Sequence, residues 1–358
     1  MKRLLLCFGF LLILSSCRTR HIDEKFAVAV TEKELSLSGN VIAKKLSGGF
    51  GGTMNFLVSN DSKQYVVRFL EHRTQEDLLY ASTEVYNFNV ASKGEYGPKV
   101  YFSDPLQGIM IMEYLSGKTV TDKDLAVDTF YVALANLLKK IHHGQFFKNS
   151  GFDVFRTIDR ALEINKIKYS NYVPLNQVEQ LITGMYSALL PHLYFAPCHN
   201  DLHAGNLVYL GNGFKAIDYG DAAQGDPYFD IATVMSNVCY KSGYKPEYEK
   251  ILLEVYLGRQ PSSVESAKLY IMKQIVLIKC ACDCLKRITN SPEAVHQYNV
   301  IKVPSSTSLG EIVFDLSKSE DNLSCLKMLL NTVFENAQSQ EFSDAVELLR
   351  AKDSSRCN

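Results

Sequence analysis

The chain has 358 residues, of which 46% are hydrophobic and 22% are charged, and its formal net charge is -1 at pH 7. This apolar content is enough for a sizeable core in one two-lobed domain or two ordinary ones, so the bulk of the chain is not expected to be disordered. A charge near zero without a long Lys/Arg run excludes the electrostatic footprint of a nucleic-acid-binding protein. The expected partner is a small molecule.

The first 17 residues have the shape of a secretory signal peptide. Met1-Lys2-Arg3 precedes an uncharged apolar run from Leu4 to Leu14, which is too short to span a membrane. Leu14-Ser15-Ser16-Cys17 resembles a bacterial lipobox, in which Cys17 would be lipidated and would anchor the protein to a membrane surface. We therefore predict a membrane-associated lipoprotein, with a cytoplasmic protein as the alternative.

A small lobe is predicted to begin at about Lys25, and its first strand at Ile42. Ile42 to Ser47 and Asn55 to Val58 have strand character, and they flank the turn Gly48-Gly49-Phe50-Gly51-Gly52-Thr53. Glycines let backbone amides approach phosphate oxygens closely, although a glycine cluster alone more often marks a plain hairpin turn. The next predicted strand, Gln64 to Leu70, carries Arg68 as its one charge.

One helix and two strands are predicted next, and the rest of the chain is predicted to be mainly helical. A helix predicted from about Leu78 to Ser92 carries Glu84, and strands are predicted at Tyr96 to Phe102 and Gly108 to Leu115. Apolar residues then recur at helical spacing from Leu125 to His142. Further helices are predicted over residues 152–195, 231–258, 264–288 and 312–349.

The most informative stretch is His199-Asn200-Asp201-Leu202-His203-Ala204-Gly205-Asn206, followed by Ile217-Asp218-Tyr219-Gly220. Protein kinases hold a phosphoryl-transfer site with this residue order: Asp, Asn five residues later, then Asp-aromatic-Gly after a short segment. Asp201 can accept the proton of an attacking hydroxyl. The side-chain oxygens of Asn206 and Asp218 are ligands that suit Mg²⁺. The sequence therefore predicts a phosphotransferase.

A hairpin is predicted between these two motifs. Leu207-Val208-Tyr209 and Phe214-Lys215-Ala216-Ile217 flank a turn at Gly211-Asn212-Gly213. Asn206 would stand at the start of this hairpin and Asp218 at its end. Both predicted metal ligands would therefore lie at the same edge.

The histidines admit other interpretations. His199, Asp201 and His203 could form a polar loop or a metal cluster in an unrelated fold, but the downstream Asn and Asp-Tyr-Gly favour the phosphotransferase. His203 is expected to pack the loop. His142 and His143 could form a catalytic pair, yet helix-end packing is favoured because the site already has a base.

These motifs resemble the choline/ethanolamine kinase and aminoglycoside phosphotransferase superfamily, whose members are small-molecule kinases. The resemblance rests on His199 to Asn206, Ile217 to Ala223 and Gly225 to Ala232. The His-Asn-Asp opening is closer to the choline/ethanolamine branch. Gly220-Asp221 departs from it, because choline kinases usually carry an acidic-aromatic pair there.

The resemblance covers about residues 40–290 and implies a protein-kinase-like α+β fold with two lobes. Residues 25–115 would form a small N-lobe with an antiparallel sheet and a helix. Residues 116–358 would form a larger, mainly helical C-lobe that holds the catalytic loop and the substrate-binding helices.

The resemblance also implies ATP and Mg as cofactors. The nucleotide-binding residues would be Gly48, Gly49, Gly51, Gly52, Arg68, Glu84 and Glu113. Arg68 takes the place of the phosphate-holding Lys of protein kinases, unless it is an edge-strand charge facing solvent. Glu84 would pair with Arg68, with Glu76 as its competitor, and the backbone near Glu113 would meet the adenine edge. Asp230 would brace the catalytic loop.

We therefore predict a kinase that transfers the γ-phosphoryl of ATP to a small alcohol, with a choline- or ethanolamine-like substrate as the first hypothesis. An aminoglycoside-type or other small-molecule kinase and a non-catalytic, kinase-like binding lipoprotein are the alternatives. The presence of Asp201, Asn206, Asp218 and Arg68 argues against the last. Since the chain has no Trp, an ammonium cage would need Tyr, Phe and acids such as Asp221.

Overall fold

The computed structural model describes residues 21–46, 53–70, 74–117, 122–148, 152–238, 247–289, 292–305 and 314–351. The predicted signal peptide with Cys17 lies outside the described residues, as do Gly48, Gly49, Gly51 and Gly52. The chain divides into two compact units. The first comprises the residues up to Ser82 together with Val100–Tyr114, and the second comprises Thr83–Lys99 and the chain from Leu115 onwards.

The first unit contains helix α1 (Glu24–Leu35) and one antiparallel sheet. Its strands are β1 (Ile42–Lys45), β2 (Met54–Ser59), β3 (Gln64–Phe69), β4 (Val100–Asp104) and β5 (Ile109–Glu113). They lie in the order β1-β2-β3-β5-β4. Side chains alternate along β3, so that Tyr65, Val67 and Phe69 are buried. The predicted N-lobe sheet is thus confirmed.

Helix α2 (Gln75–Lys93) follows β3 and starts earlier than predicted. Thr74 and Asp77 explain this start, because each caps the other. The Asp77 backbone N–H donates to Thr74 Oγ1 at 3.1 Å, and the Thr74 N–H donates to Asp77 Oδ2 at 2.9 Å. This reciprocal pair satisfies amide groups that a helix start leaves open.

The second unit is mainly helical, as the sequence predicts. Its remaining helices are α3 (Asp122–Leu125), α4 (Asp128–His142), α5 (Val154–Tyr169), α6 (Leu175–Leu189), α7 (Pro227–Val238), α8 (Glu247–Leu257), α9 (Ser263–Ile288), α10 (Pro292–Val295), α11 (Ser319–Ala337) and α12 (Gln340–Arg350). Helix α9 has 26 residues, most of them buried, and packs against α5, α6, α7, α11 and α12. A capping box between Ser262 and Glu265 starts this helix.

Two short strand pairs interrupt the helices of the second unit. They are β6 (Ala196–Cys198) with β9 (Ala223–Gly225), and β7 (Leu207–Tyr209) with β8 (Phe214–Ala216). Both pairs are antiparallel. In the part of the chain that the structure describes, no helix combines the length and apolarity needed to cross a membrane.

Candidate active site

The predicted hairpin is confirmed and brings the Asp201–Asn206 and Asp218–Gly220 motifs to one place. Strands β7 and β8 pair Leu207 with Ala216 and Tyr209 with Phe214. At the open end of the hairpin, the Ile217 N–H donates to the Asn206 carbonyl at 2.9 Å. Because Asp218 comes directly after Ile217, the pairing holds Asp218 beside Asn206 in the backbone.

Asp201 and Asn206 contact each other directly. The Asn206 Nδ2 donates to the Asp201 carbonyl at 2.9 Å and to Asp201 Oδ2 at 3.0 Å. Asn206 is buried, whereas the Asp201 side chain is 29% exposed. Since the amide nitrogen of Asn206 faces Asp201, its oxygen is the atom that can coordinate a cation. The donor set of an amide oxygen and the Asp218 carboxylate therefore fits Mg²⁺.

Two residues of the site adopt a left-handed backbone conformation. Asn200 has φ 65° and Asp218 has φ 66°. Asn and Asp tolerate this region better than other residues with a Cβ, and such conformations cluster at functional sites. The Asn200 Nδ2 also donates to the Asp221 carbonyl at 3.0 Å, which ties the catalytic loop to the segment after Asp218.

The Asp230 side chain holds the catalytic loop by accepting hydrogen bonds from the loop's backbone, as the family resemblance implies. This fully buried carboxylate accepts from the His199 N–H and from the Asn200 N–H, both at 2.7 Å. It also lies 3.1 Å from His142 Nε2, whose ring contacts the Tyr256 hydroxyl at 2.9 Å. The predicted helix-end role of His142 is confirmed.

His142, Cys198 and Asp230 also form a group whose side-chain atoms lie within 4.8 Å of one another. Both oxygens of Asp230 are already used by the loop amides and by His142. Burial raises the pKa of the Cys198 thiol, and a metal ligand would need the thiolate. The group is therefore a hydrogen-bonded brace rather than a metal centre.

His199 fixes the Asp-Tyr-Gly segment to the loop. Its Nε2 donates to the Ile217 carbonyl at 3.0 Å, and its ring lies 4.7 Å from the ring of Tyr219. Tyr219 is fully buried, and its hydroxyl donates to the Tyr96 carbonyl at 3.2 Å. His199 is thus a packing and hydrogen-bonding residue.

Sequence reasoning missed Lys279 and Asp283, which lie on α9. The Lys279 Nζ is 3.9 Å from Asp201 Oδ1 and 3.0 Å from Asp283 Oδ2. Burial raises the pKa of Asp221, and the charges of Asp201 and Asp218 raise it further against the opposing effect of Lys279. The available signal was a lysine that interrupts a long apolar stretch of α9.

The predicted nucleotide-binding residues outside the glycine loop are described. Arg68 lies on β3, the third of five strands in the sheet, so the edge-strand alternative is wrong. Glu84 is fully buried on α2, while its competitor Glu76 is exposed. Glu113 ends β5 and is paired with Tyr65. The pairing of Arg68 with Glu84 and the adenine contact near Glu113 stay predictions.

Similar proteins include small-molecule kinases. Protein LicA of Haemophilus influenzae strain Rd is 22% identical over 208 residues, which is 57% of this chain and 76% of LicA. A choline/ethanolamine kinase family protein from Mesorhizobium loti has a TM-score of 0.64 at 18% identity, over 90% of this chain and 99% of that one. The choline kinase LicA from Streptococcus pneumoniae has a TM-score of 0.55 at 20% identity, over 91% and 99%.

These structural likenesses show that the chain has a protein-kinase-like fold, which confirms the predicted fold class. Residues 42–265 match the phosphotransferase enzyme family. That range holds the sheet, the catalytic loop, the hairpin and the Asp230 brace, so the match covers every part of the site described above except Lys279 and Asp283 of α9. The chain belongs to the phosphotransferase enzyme family.

Proposed function

We propose that this kinase transfers the γ-phosphoryl of ATP to the hydroxyl of a small amino alcohol of the choline or ethanolamine class. The observation that carries the proposal is the contact of Asn206 with Asp201, because the carboxylate that would act as general base then lies beside the amide that would supply an oxygen ligand to the nucleotide's metal ion. The likeness to proteins described as choline kinases supports the choice of acceptor.

Asp201 would accept the proton of the acceptor hydroxyl as that oxygen attacks phosphorus. A carboxylate in this place must remain ionised and oriented, and the Asn206 amide holds one of its oxygens. Asn206 and Asp218 would hold Mg²⁺, which neutralises charge on the phosphates when bound. Asp230 would keep the loop amides in place throughout, because its hydrogen bonds reach the backbone rather than the reacting groups.

The local charge supports a cationic acceptor. The carboxylates whose charges act on this segment are Asp201, Asp218, Asp221 and Asp283. Lys279 opposes them, and carboxylates outnumber lysines among these groups. This excess of carboxylates would attract an ammonium substituent on the acceptor.

An acceptor screen tests this proposal. The full-length chain would be given MgATP with choline, ethanolamine, thiamine and a set of aminoglycosides, and ADP formation would be measured for each acceptor. We expect turnover with choline or ethanolamine. Turnover with aminoglycosides alone would contradict the amino-alcohol assignment while leaving the kinase activity in place.

We further propose that Cys17 is lipidated and attaches the enzyme to a membrane surface. The support is the apolar run and the lipobox-like Leu14-Ser15-Ser16-Cys17. Metabolic labelling with a fatty acid should label the parent chain and not the Cys17→Ala variant. An unlabelled parent would favour the cytoplasmic alternative.

A further inference from the structure

Lys279 is a largely buried cation on a helix that is otherwise mostly apolar. Its side chain is only 16% exposed. Burying an ammonium is unfavourable unless carboxylates or other acceptors compensate for the lost water. Asp283, one turn further along α9, supplies the first such partner at 3.0 Å, and Asp201 of the catalytic loop supplies the second at 3.9 Å.

The two carboxylate oxygens of Asp201 have different surroundings. Oδ2 accepts from the Asn206 Nδ2 at 3.0 Å and lies 3.6 Å from His203 Nε2. Oδ1 faces the Lys279 Nζ at 3.9 Å, which is too long for a hydrogen bond but close enough for strong charge attraction. Oδ1 can therefore accept from another donor without losing the attraction of Lys279.

A second buried lysine of α9 provides an internal comparison. Lys268, about three turns earlier on a similar face, pairs with Asp226 and donates to the His192 carbonyl at 2.7 Å. Its Nζ also lies over the rings of Tyr194 and Tyr228, 4.8 and 4.6 Å from their centroids. Lys268 is thus surrounded by structural partners, whereas Lys279 lies 3.9 Å from Asp201, the proposed catalytic base.

The charge state of Lys279 agrees with this difference. Burial acts to lower the pKa of Lys279, but the charges of Asp283 and Asp201 outweigh it and hold the pKa above its ordinary value. At Lys268, burial outweighs the attraction of Asp226, and the pKa of Lys268 is lowered. Lys279 therefore remains an ammonium beside Asp201.

We propose that Lys279 is a positioning residue for the catalytic base: its ammonium orients Asp201 so that Oδ1 receives the acceptor hydroxyl, while Asn206 holds Oδ2. Asp283 tethers Lys279 in this position. The inference rests on the proposed phosphotransfer role of Asp201. It adds that α9, which is remote in sequence, completes the geometry of the catalytic loop.

The test compares Lys279→Met and Lys279→Arg with Lys273→Met in the full-length chain. Lys273 is the matched control because it lies on the same helix and pairs with Glu249 at 2.6 Å. We expect Lys279→Met to lower kcat on the order of tenfold to a hundredfold, as displacement of a reacting group does. The KM for MgATP should stay within about twofold, and Lys279→Arg should retain more turnover than Lys279→Met.

Two further measurements keep the inference falsifiable if Lys279→Met folds poorly. Lys279→Ala should regain turnover when ethylamine or propylamine is added, and Asp283→Asn should lower kcat by a smaller factor than Lys279→Met. Unchanged kcat in Lys279→Met, or an equal loss of kcat in Lys273→Met, would overturn the positioning role of Lys279. The proposed kinase activity would still stand in that case, because the parent protein turns over. A parent without turnover on any acceptor would instead overturn the proposed function, and the inference with it.

Discussion

The brace around Asp230 and the reacting edge around Asp201 use the same kind of side chain in opposite ways. Asp230 is fully buried and accepts from two backbone amides at 2.7 Å and from His142. The Asp201 side chain is 29% exposed, and the His203 Nε2 and the Lys279 Nζ lie 3.6 and 3.9 Å from its oxygens. Asp230, whose oxygens are both hydrogen-bonded, holds the loop backbone. Asp201 has fewer hydrogen bonds and can still accept one from a substrate. Substitutions in the two regions should therefore separate stability from chemistry.

Asp230→Ala should have the largest effect on stability. It leaves the His199 and Asn200 amides buried without their acceptor, and each buried donor left unsatisfied typically costs about 1–3 kcal/mol. Urea unfolding would measure the free energy of unfolding. Exposed Asp128 on α4 is the control, since its replacement by Ala should change stability by no more than about 0.5 kcal/mol. Equal stability of the two variants would contradict the bracing role.

Asp201→Asn should lower turnover on the order of a hundredfold or more and leave the fold intact, because a base is lost while its shape is kept. The free energy of unfolding should stay close to that of the parent. Steady-state kinetics with the best acceptor and urea unfolding would be measured on the same preparation. Unchanged turnover would remove Asp201 from the mechanism.

Asp218→Ala should weaken nucleotide binding only when magnesium is present. The substitution removes a carboxylate oxygen that would bind the metal ion, and we expect an affinity loss on the order of tenfold, comparable to losses at other metal sites. Calorimetric titrations with ATP in the presence and absence of Mg²⁺ separate the metal-dependent part of the nucleotide affinity from the metal-independent part. Parent and variant with equal MgATP affinity would argue against Asp218 as a ligand.

Gly225→Ala should lower stability by less than Asp230→Ala does. The added methyl group would disturb the catalytic loop by crowding Asn200. A Cβ at Gly225 would lie 2.8 Å from Asn200 Oδ1, so Asn200 must shift. Crowding of this kind typically costs about 1–3 kcal/mol. Gly213→Ala is the matched control, because a Cβ there meets no atom within 4 Å. A stability change no larger than that of the control would show that Asn200 adapts freely.

The sequence predicts the reacting edge better than its surroundings. Asp201, Asn206 and Asp218 stand at fixed spacings in one short stretch, and the hairpin that joins them has its own turn residues. The apolar run between Gln64 and Leu70, with Arg68 as its one charge, likewise predicts β3. Such features depend on local geometry, which a linear pattern records.

Contacts between distant segments are what sequence reasoning missed. Lys279 reaches Asp201 only because α9 packs beside the catalytic loop, and no spacing rule links the two residues. Helix α1 was missed for another reason. Its Asp23 cap is clear, since the carboxylate accepts from the Phe26 N–H at 2.8 Å, but its apolar residues run consecutively from Phe26 to Val30 rather than at helical spacing, and only Ala27 and Thr31 are buried.

The most direct test of the account follows the phosphoryl group itself. The full-length chain would be incubated with γ-labelled MgATP and choline or ethanolamine, and label on the acceptor would be compared between the parent and Asp201→Asn. The account predicts one labelled acceptor molecule for each ADP formed by the parent, and a rate reduced on the order of a hundredfold or more in the variant. Label that never reaches an acceptor, or reaches it equally fast in both proteins, would contradict the central claim that Asp201 serves phosphoryl transfer.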